Sequence, residues 1–135
     1  MEIVTWNVKF RRPHVIDALA RTCKPDILTL QEVTLAAAPA YRERLAAMGL
    51  PHMHYSGRPR VSKKRYGNLI ASRWPLKPVS LRGREDAPWP QLLAAVTVSI
   101  KDHEVAVITA HIPNGSGNGW GRSIRSRPSP RWCGR

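Results

Sequence analysis

The hydrophobic pattern divides the first 50 residues into alternating strand-like and helix-like segments. Polar and apolar residues alternate over residues 2–7, which predicts a strand, and helical spacing of apolar residues predicts a helix over 11–21. A short apolar run at 27–30 predicts a buried strand, and residues 41–48 predict a second helix that ends at Gly49. This β-α-β-α order predicts an α/β domain whose strands are backed by helices.

Beyond residue 51 the pattern changes to successive strands that are separated by turn residues. Strand character is found over residues 52–56, 68–72, 76–81, 92–100 and 105–111. Strands joined by short turns pair in antiparallel fashion. The sequence therefore predicts an α/β (α+β) fold with a mixed sheet, helices on one face of that sheet, and a following meander.

The chain is strongly basic, with a formal net charge of +13. Five arginines lie in the last 15 positions, which leaves a net charge of +8 for residues 1–120. Such a charge favours a polyanion as partner, although a solvated basic surface would give the same count. The loop over residues 58–65 carries five cations, and we predict that Lys64 and Arg65 in it bind substrate. The alternative for this loop is an ordinary solvated segment.

The N-terminus begins directly on an apolar strand, without a charged leader and an apolar run behind it. No apolar stretch is long enough to span a bilayer. We therefore expect a cytoplasmic protein without a membrane span.

Two polar residues follow the first two predicted strands. Asn7 ends the first strand and Glu32 follows the second. If these strands are parallel neighbours, both side chains emerge at one edge of the sheet, where ligands of α/β proteins collect. A carboxylate beside an amide is a hard-oxygen pair that Mg²⁺ accepts. Taken singly, Glu32 is more often a surface residue and Asn7 a turn former.

A third polar element follows the last predicted strand, at residues 111–115. A histidine such as His111 can stabilise or protonate a leaving oxygen, and Asn114 can donate a hydrogen bond to a phosphoryl oxygen. By itself, the Pro-Asn-Gly sequence at 113–115 is an ordinary turn that needs no function.

The combination of these segments is more specific than any one of them. In order, they are residues 5–7 (Thr-Trp-Asn), 25–32 (Pro-Asp-Ile-Leu-Thr-Leu-Gln-Glu), 66–73 (Tyr-Gly-Asn-Leu-Ile-Ala-Ser-Arg) and 109–115 (Thr-Ala-His-Ile-Pro-Asn-Gly). This series resembles the endonuclease/exonuclease/phosphatase superfamily, which includes pancreatic deoxyribonuclease, abasic-site endonucleases and neutral sphingomyelinases. The resemblance covers residues 1 to about 120 and implies the N-terminal half of a four-layer α-β-β-α sandwich.

The resemblance also implies an activity and a role for each candidate residue. The activity is hydrolysis of phosphodiester or phosphomonoester bonds, in nucleic acid or another phosphoester, with Mg²⁺ as cofactor and Mn²⁺ as a substitute. Glu32 is expected to bind the metal, and Asn7 to contact both the metal site and the phosphate. His111 and Asn114 are expected beside the scissile phosphate, and Asn68 is a further candidate for substrate binding.

Part of the catalytic machinery of the superfamily has no counterpart in the sequence. Relatives activate water with an aspartate and a partner histidine near the C-terminus, whereas this chain has no Asp or Glu after Glu104. We therefore expect residues 1–120 to be a truncated phosphoesterase domain, inactive as it stands. An uncovered sheet face should make it aggregate or self-associate. The competing hypothesis is a non-catalytic basic module that binds nucleic acid.

The last segment, residues 121–135, has no hydrophobic period and contains five arginines, three serines and two prolines. We expect a disordered basic tail, either a nucleic-acid-binding arm or the product of a frameshift. Synonymous codons exist for which the shifted frame encodes Lys-Ile-Asp-Thr-Phe-Glu-Ala-Leu-Ala-Glu-Val-Val-Arg, an amphipathic helix. One base lost after the codon of Trp120 would be sufficient.

Overall fold

The order of helices and strands follows the hydrophobic pattern. The structure is a computed structural model that describes residues 1–57, 66–81 and 90–112. Within these residues the elements are β1 (Ile3–Asn7), α1 (Val15–Thr22), β2 (Ile27–Thr34), α2 (Ala38–Ala47), β3 (His52–Tyr55), β4 (Tyr66–Ser72), β5 (Leu76–Pro78), a 3₁₀ turn (Pro90–Leu92), β6 (Leu93–Ile100) and β7 (His103–Ala110). The predicted boundary at residue 120 and the tail at 121–135 lie outside the described residues.

The first sheet is mixed and has the strand order β1-β2-β4-β3. Its strands β1 and β2 are parallel, with Ile3 opposite Ile27 and Asn7 opposite Gln31. Strand β4 is antiparallel to both β2 and β3. The condition on which we expected Asn7 and Glu32 to share an edge, that the first two strands are parallel neighbours, is therefore met, with α1 in the connection between them.

The second sheet is antiparallel and has the order β5-β6-β7. The longest pairing joins β6 to β7, from Leu93 opposite Ala110 to Ile100 opposite His103. The predicted meander is therefore formed by these three strands, whereas β3 and β4 complete the first sheet.

Alternating residues of β2 and β4 divide the core into two clusters. One face of the first sheet packs against the helices, and this cluster contains Ile16, Tyr41 and Leu45 from the helices and Leu28, Leu30, Leu69 and Ala71 from the strands. The other face contributes Ile27 and Ile70, which pack with Ala94, Val96, Val98 and Val107 of the second sheet. The period of two along a strand produces this division, and each buried aliphatic side chain contributes about 1.5–3 kcal/mol.

The structure corrects our expectation of a sheet face without an opposing sheet. Ile27 and Ile70 are fully buried against β6 and β7, so the second sheet covers β2 and β4. Apolar exposure is found instead on the two outer strands β1 and β7, where Ile3 is 49% and Ile108 is 61% exposed. Unpaired edge strands of this kind pair readily with another chain, so self-association stays a prediction that sedimentation can test. None of the described helices is long and apolar enough to cross a membrane.

Candidate active site

Three of the predicted site residues meet at one end of the two sheets. Asn7 ends β1, Glu32 lies in β2, and His111 directly follows β7. The Asn7 Nδ2 donates a hydrogen bond of 3.0 Å to Glu32 Oε1, and His111 Nε2 lies 3.4 Å from the same oxygen. The side chains of Glu32 and His111 are each only 15% exposed. Both sheets thus deliver polar groups to a single, mostly shielded carboxylate.

The backbone of Glu32 adopts a conformation that the sequence did not indicate. We predicted that Glu32 follows the strand, but β2 continues to Thr34 and the register with β4 shifts between Leu30 and Val33. At this bulge Glu32 has a φ of 59°, a left-handed value that costs a non-glycine residue about 1–3 kcal/mol. At the bulge, the regular alternation of side chains between the two faces of the strand is interrupted at Glu32. Backbone strain of this kind is concentrated at functional sites.

The side chain of Asn7 is held from both of its ends. While Nδ2 donates to Glu32, Oδ1 accepts a hydrogen bond of 2.9 Å from the backbone N–H of Lys9. The parallel pairing also continues past Asn7, because the N–H of Val8 donates to the carbonyl of Gln31 at 3.1 Å. The orientation of the amide is therefore fixed by the turn that follows β1.

A network of polar side chains near the three site residues connects strands β1, β2 and β7 through hydrogen bonds. The two hydrogens of Gln31 Nε2 are shared among three hydroxyl oxygens within hydrogen-bonding distance, those of Thr5 at 3.0 Å, Thr29 at 3.3 Å and Thr109 at 2.9 Å. The Thr29 hydroxyl also donates to that of Thr5 at 2.9 Å. These residues lie on β1, β2 and β7, the strands that carry the site residues, so the network fixes the spacing of all three.

Asn68, which we predicted to bind substrate, is fully buried between the sheets. Its Nδ2 donates to the backbone carbonyls of Leu92 at 2.6 Å and Thr109 at 3.3 Å. The Leu92 carbonyl also accepts from the N–H of His111 at 2.9 Å. Asn68 therefore holds the backbone that leads into His111. This placement supports a structural role, and its contact with substrate stays a prediction.

Two aromatic side chains continue the site beyond His111. The rings of Tyr66 and His111 lie 6.0 Å apart between centroids, and those of Tyr66 and Phe10 lie 4.9 Å apart, both in edge-to-face geometry. Burial raises the pKa of the Tyr66 phenol, and the negative charge of Glu32 raises it further, so the phenol is neutral at physiological pH. Sequence reasoning missed Phe10, although an aromatic residue within the basic run Lys-Phe-Arg-Arg, which begins two residues after Asn7, could have indicated it.

An open cleft of about 510 Å³ runs along the site between β1 and β7. Polar residues of the network form part of its wall, together with Asn7 and His111, and apolar residues of the outer strands form the rest. The cleft can therefore admit a ligand to His111 and Asn7 from the side of the two edge strands.

Three predicted site residues, Lys64, Arg65 and Asn114, lie outside the described residues. Their predicted roles stay predictions. Among residues 1–57, 66–81 and 90–112, no three His, Cys, Asp or Glu side chains group so that they could hold a metal ion. Any metal at this site would therefore depend on Glu32 and on oxygen atoms from other sources.

Fold and site together define an α/β domain in which two packed sheets share one polar, carboxylate-centred end. The chain belongs to the Endonuclease/Exonuclease/phosphatase family, which it matches over residues 4–133. The resemblance to this family that the sequence motifs indicated is thus confirmed. The match extends beyond residue 120, into the tail that we predicted to be separate, and that boundary stays a prediction.

Solved structures with the same fold include two structures of TDP2 and one of ANGEL2. Humanized TDP2 of D. rerio is 16% identical and matches with a TM-score of 0.62, covering 90% of this chain and 54% of that one. D. rerio TDP2 complexed with a single strand DNA product is 17% identical, with a TM-score of 0.58 and coverages of 91% and 50%. ANGEL2, a 2′,3′-cyclic phosphatase, is 22% identical, with a TM-score of 0.57 and coverages of 80% and 33%.

These similarities establish the fold, since the identities are low. The chain spans about half the length of the TDP2 structures and a third of that of ANGEL2. A comparison with curated proteins found no match.

Proposed function

We propose that the site of Asn7, Glu32 and His111 belongs to a metal-dependent phosphoesterase that hydrolyses phosphodiester bonds in nucleic acid. The observation that carries this proposal is the convergence of an amide and an imidazole on the carboxylate of Glu32, at 3.0 Å and 3.4 Å, at a residue whose backbone has a positive φ. Membership of the Endonuclease/Exonuclease/phosphatase family supports the reaction class.

The donor set of the site fits Mg²⁺, with Mn²⁺ as a substitute. Glu32 supplies a carboxylate, and Asn7 supplies an amide that is hydrogen-bonded to it. Mg²⁺ is commonly held by one or two carboxylates, several waters and the phosphate of the substrate, so a single carboxylate is compatible with it. Glu32 would hold the ion with Asn7 beside it, and the bound ion would polarise the phosphate and neutralise charge on its oxygens.

The protein's own groups have distinct tasks in this proposal. His111 donates a hydrogen bond through an imidazole N–H to a phosphoryl or leaving oxygen, as a histidine at such a position can. Asn7 keeps the Glu32 carboxylate in place through its 3.0 Å hydrogen bond. The network around Gln31 holds the strands that carry these residues, so that the groups are oriented before substrate binds.

Nucleic acid is the substrate class that charge and the structural comparison support. The net charge of +13 attracts a polyanion. In addition, one structure of the same fold, D. rerio TDP2, is complexed with a single strand DNA product. Both observations support a phosphodiester of DNA or RNA as the proposed substrate.

We also propose that these 135 residues alone lack appreciable activity. Among the residues that the structure describes, Glu32 supplies the carboxylate of the site, and as a metal ligand it cannot also remove a proton from water. The chain covers only 54% of the TDP2 structure and 33% of ANGEL2, so both of those proteins contain further residues that could supply catalytic groups.

An activity assay of the purified 135-residue chain tests whether it lacks appreciable activity. With Mg²⁺ or Mn²⁺ we expect no turnover of plasmid, abasic DNA or a chromogenic phosphodiester, because the sequence has no counterpart of the family's water-activating aspartate and its partner histidine. Robust turnover that disappears in Glu32→Gln would support the proposed site but refute the proposal that the 135 residues are inactive by themselves. Turnover that persists in Glu32→Gln would refute the site. A merely nucleic-acid-binding module would bind in EDTA with steep salt dependence and be indifferent to both metal and Glu32.

A further inference from the structure

The turn between β1 and α1 exposes an aromatic side chain among three cations. Residues Lys9, Phe10, Arg11 and Arg12 are all exposed, and Phe10 is 53% exposed. We call these four residues the β1–α1 turn. Single large apolar side chains at the surface are common and need no explanation. Phe10 differs because it lies among cations and next to the proposed phosphoesterase site of Asn7, Glu32 and His111.

The conformation of the β1–α1 turn is strained. Lys9 has a φ of 49° and Phe10 has a φ of 60°, both in the left-handed region. Each such conformation is unfavourable for a residue other than glycine and persists only where the surroundings determine it. For a bulky residue such as Phe10 this backbone geometry is a true outlier, which points to a functional constraint.

Fixed contacts at both ends hold the turn in this shape. The N–H of Lys9 donates to Asn7 Oδ1 at 2.9 Å, so one end is attached to the site itself. At the other end the carbonyl of Arg11 accepts a hydrogen bond of 3.0 Å from the hydroxyl of Tyr41, whose side chain is fully buried. The exposed ring of Phe10 is therefore presented on a constrained backbone, which lowers the entropic cost of binding to it.

The ring of Phe10 is connected to the site through one further ring. Its centroid lies 4.9 Å from that of Tyr66, which in turn lies 6.0 Å from that of His111. Tyr66 packs against Phe10 with its plane at 68°, so it supports Phe10 from the side and leaves part of the ring accessible. A nucleotide that contacts Phe10 would thus be close to one whose phosphate lies at His111.

We propose that Phe10 is a stacking platform for a base of single-stranded nucleic acid, whose phosphates are contacted by the cations of the β1–α1 turn. This inference rests on the proposed function and names its substrate more closely. Aromatic platforms flanked by basic residues bind single strands, because every base has a face that can stack. A duplex buries these faces in its own stack, so the platform selects unpaired nucleotides or frayed ends.

Binding of a short fluorescein-labelled oligothymidine in EDTA tests the platform without requiring catalysis. Because stacking of one base contributes about 1–3 kcal/mol, we expect Phe10→Ala to weaken binding about 5- to 150-fold. Phe10→Trp should retain the affinity. Arg12→Ala should lower the slope of log K against log salt by about 0.7, while Arg42→Ala, an exposed cation on α2, should leave binding unchanged. The same measurement with oligouridine distinguishes DNA from RNA as the preferred strand.

Equal affinity of Phe10→Ala and the unchanged chain for both oligonucleotides would overturn the proposal. An effect of the same size on a blunt duplex would overturn it too, since stacking on an unpaired base would then not be the cause. Because Phe10 is exposed, circular dichroism should confirm that both variants keep the fold. If Phe10→Ala weakens binding but no metal-dependent hydrolysis is found in any form of the protein, the platform stands and the proposed function fails.

Discussion

Glu32→Gln is expected to lower phosphodiester hydrolysis by ~10²-fold or more in a longer protein whose reading frame is restored after Trp120. Glutamine has the size and shape of glutamate, but it lacks the charge that a divalent cation requires. Because Asn7 and His111 both converge on the Glu32 carboxylate, Asn7→Ala and His111→Ala should each cause a loss of similar size. The measurement is the rate of hydrolysis of a DNA phosphodiester with Mg²⁺ or Mn²⁺.

A matched control for this experiment is Glu43→Gln, which removes the same charge from an exposed position on α2. We expect Glu43→Gln to leave the rate unchanged and EDTA to abolish it. The account fails if the longer protein is indifferent to both EDTA and Glu32→Gln. The frameshift hypothesis fails separately if the shifted frame of the native DNA meets an immediate stop codon.

Asn68→Asp is expected to lower the free energy of unfolding by roughly 3 kcal/mol or more at neutral pH. Asn68 is fully buried, and its Nδ2 donates to the backbone carbonyls of Leu92 and Thr109. A carboxylate in this position would bring a charge into the interior and place oxygens against carbonyl oxygens. Its Oδ1 already has no hydrogen-bond partner among the described residues, so no donor is at hand to compensate the charge.

Urea unfolding of Asn68→Asp beside Ser80→Asp measures this effect. Ser80 is exposed, so the same added charge at that position should change stability by no more than about 0.5 kcal/mol. A loss for Asn68→Asp that is no larger than that for Ser80→Asp would mean that Asn68 is not held in the interior. The large loss would, in turn, support a structural role for Asn68 instead of a contact with substrate.

The fold and the centre of the site were predictable because they depend on periodicity and strand direction. Alternation over residues 2–7 and the apolar run at 27–30 predicted two strands with a helix between them, and parallel strands end at the same edge of a sheet. This geometry brought Asn7 beside Glu32. His111 could be added because the last strand ends immediately before it.

The remaining features depend on packing and backbone conformations that no short pattern specifies. The left-handed conformation of Glu32 had no signal, because glutamate, unlike glycine, does not mark a position with positive φ. Burial of Asn68 follows from the second sheet packing over β4, a long-range contact. The exposure of Phe10 likewise follows from the strained turn after β1 and not from its own apolar character.

The proposal that Glu32 holds a divalent metal ion is tested by Mn²⁺ binding to the 135-residue chain, measured by NMR. Mn²⁺ is paramagnetic and broadens the resonances of nearby nuclei. If Glu32 binds the ion, the resonances of the Asn7 side-chain amide and the His111 ring, which lie around Glu32, should broaden. This broadening should be lost in Glu32→Gln but not in Glu43→Gln. Equal broadening of these resonances in Glu32→Gln, or none in the unchanged chain, would contradict the account.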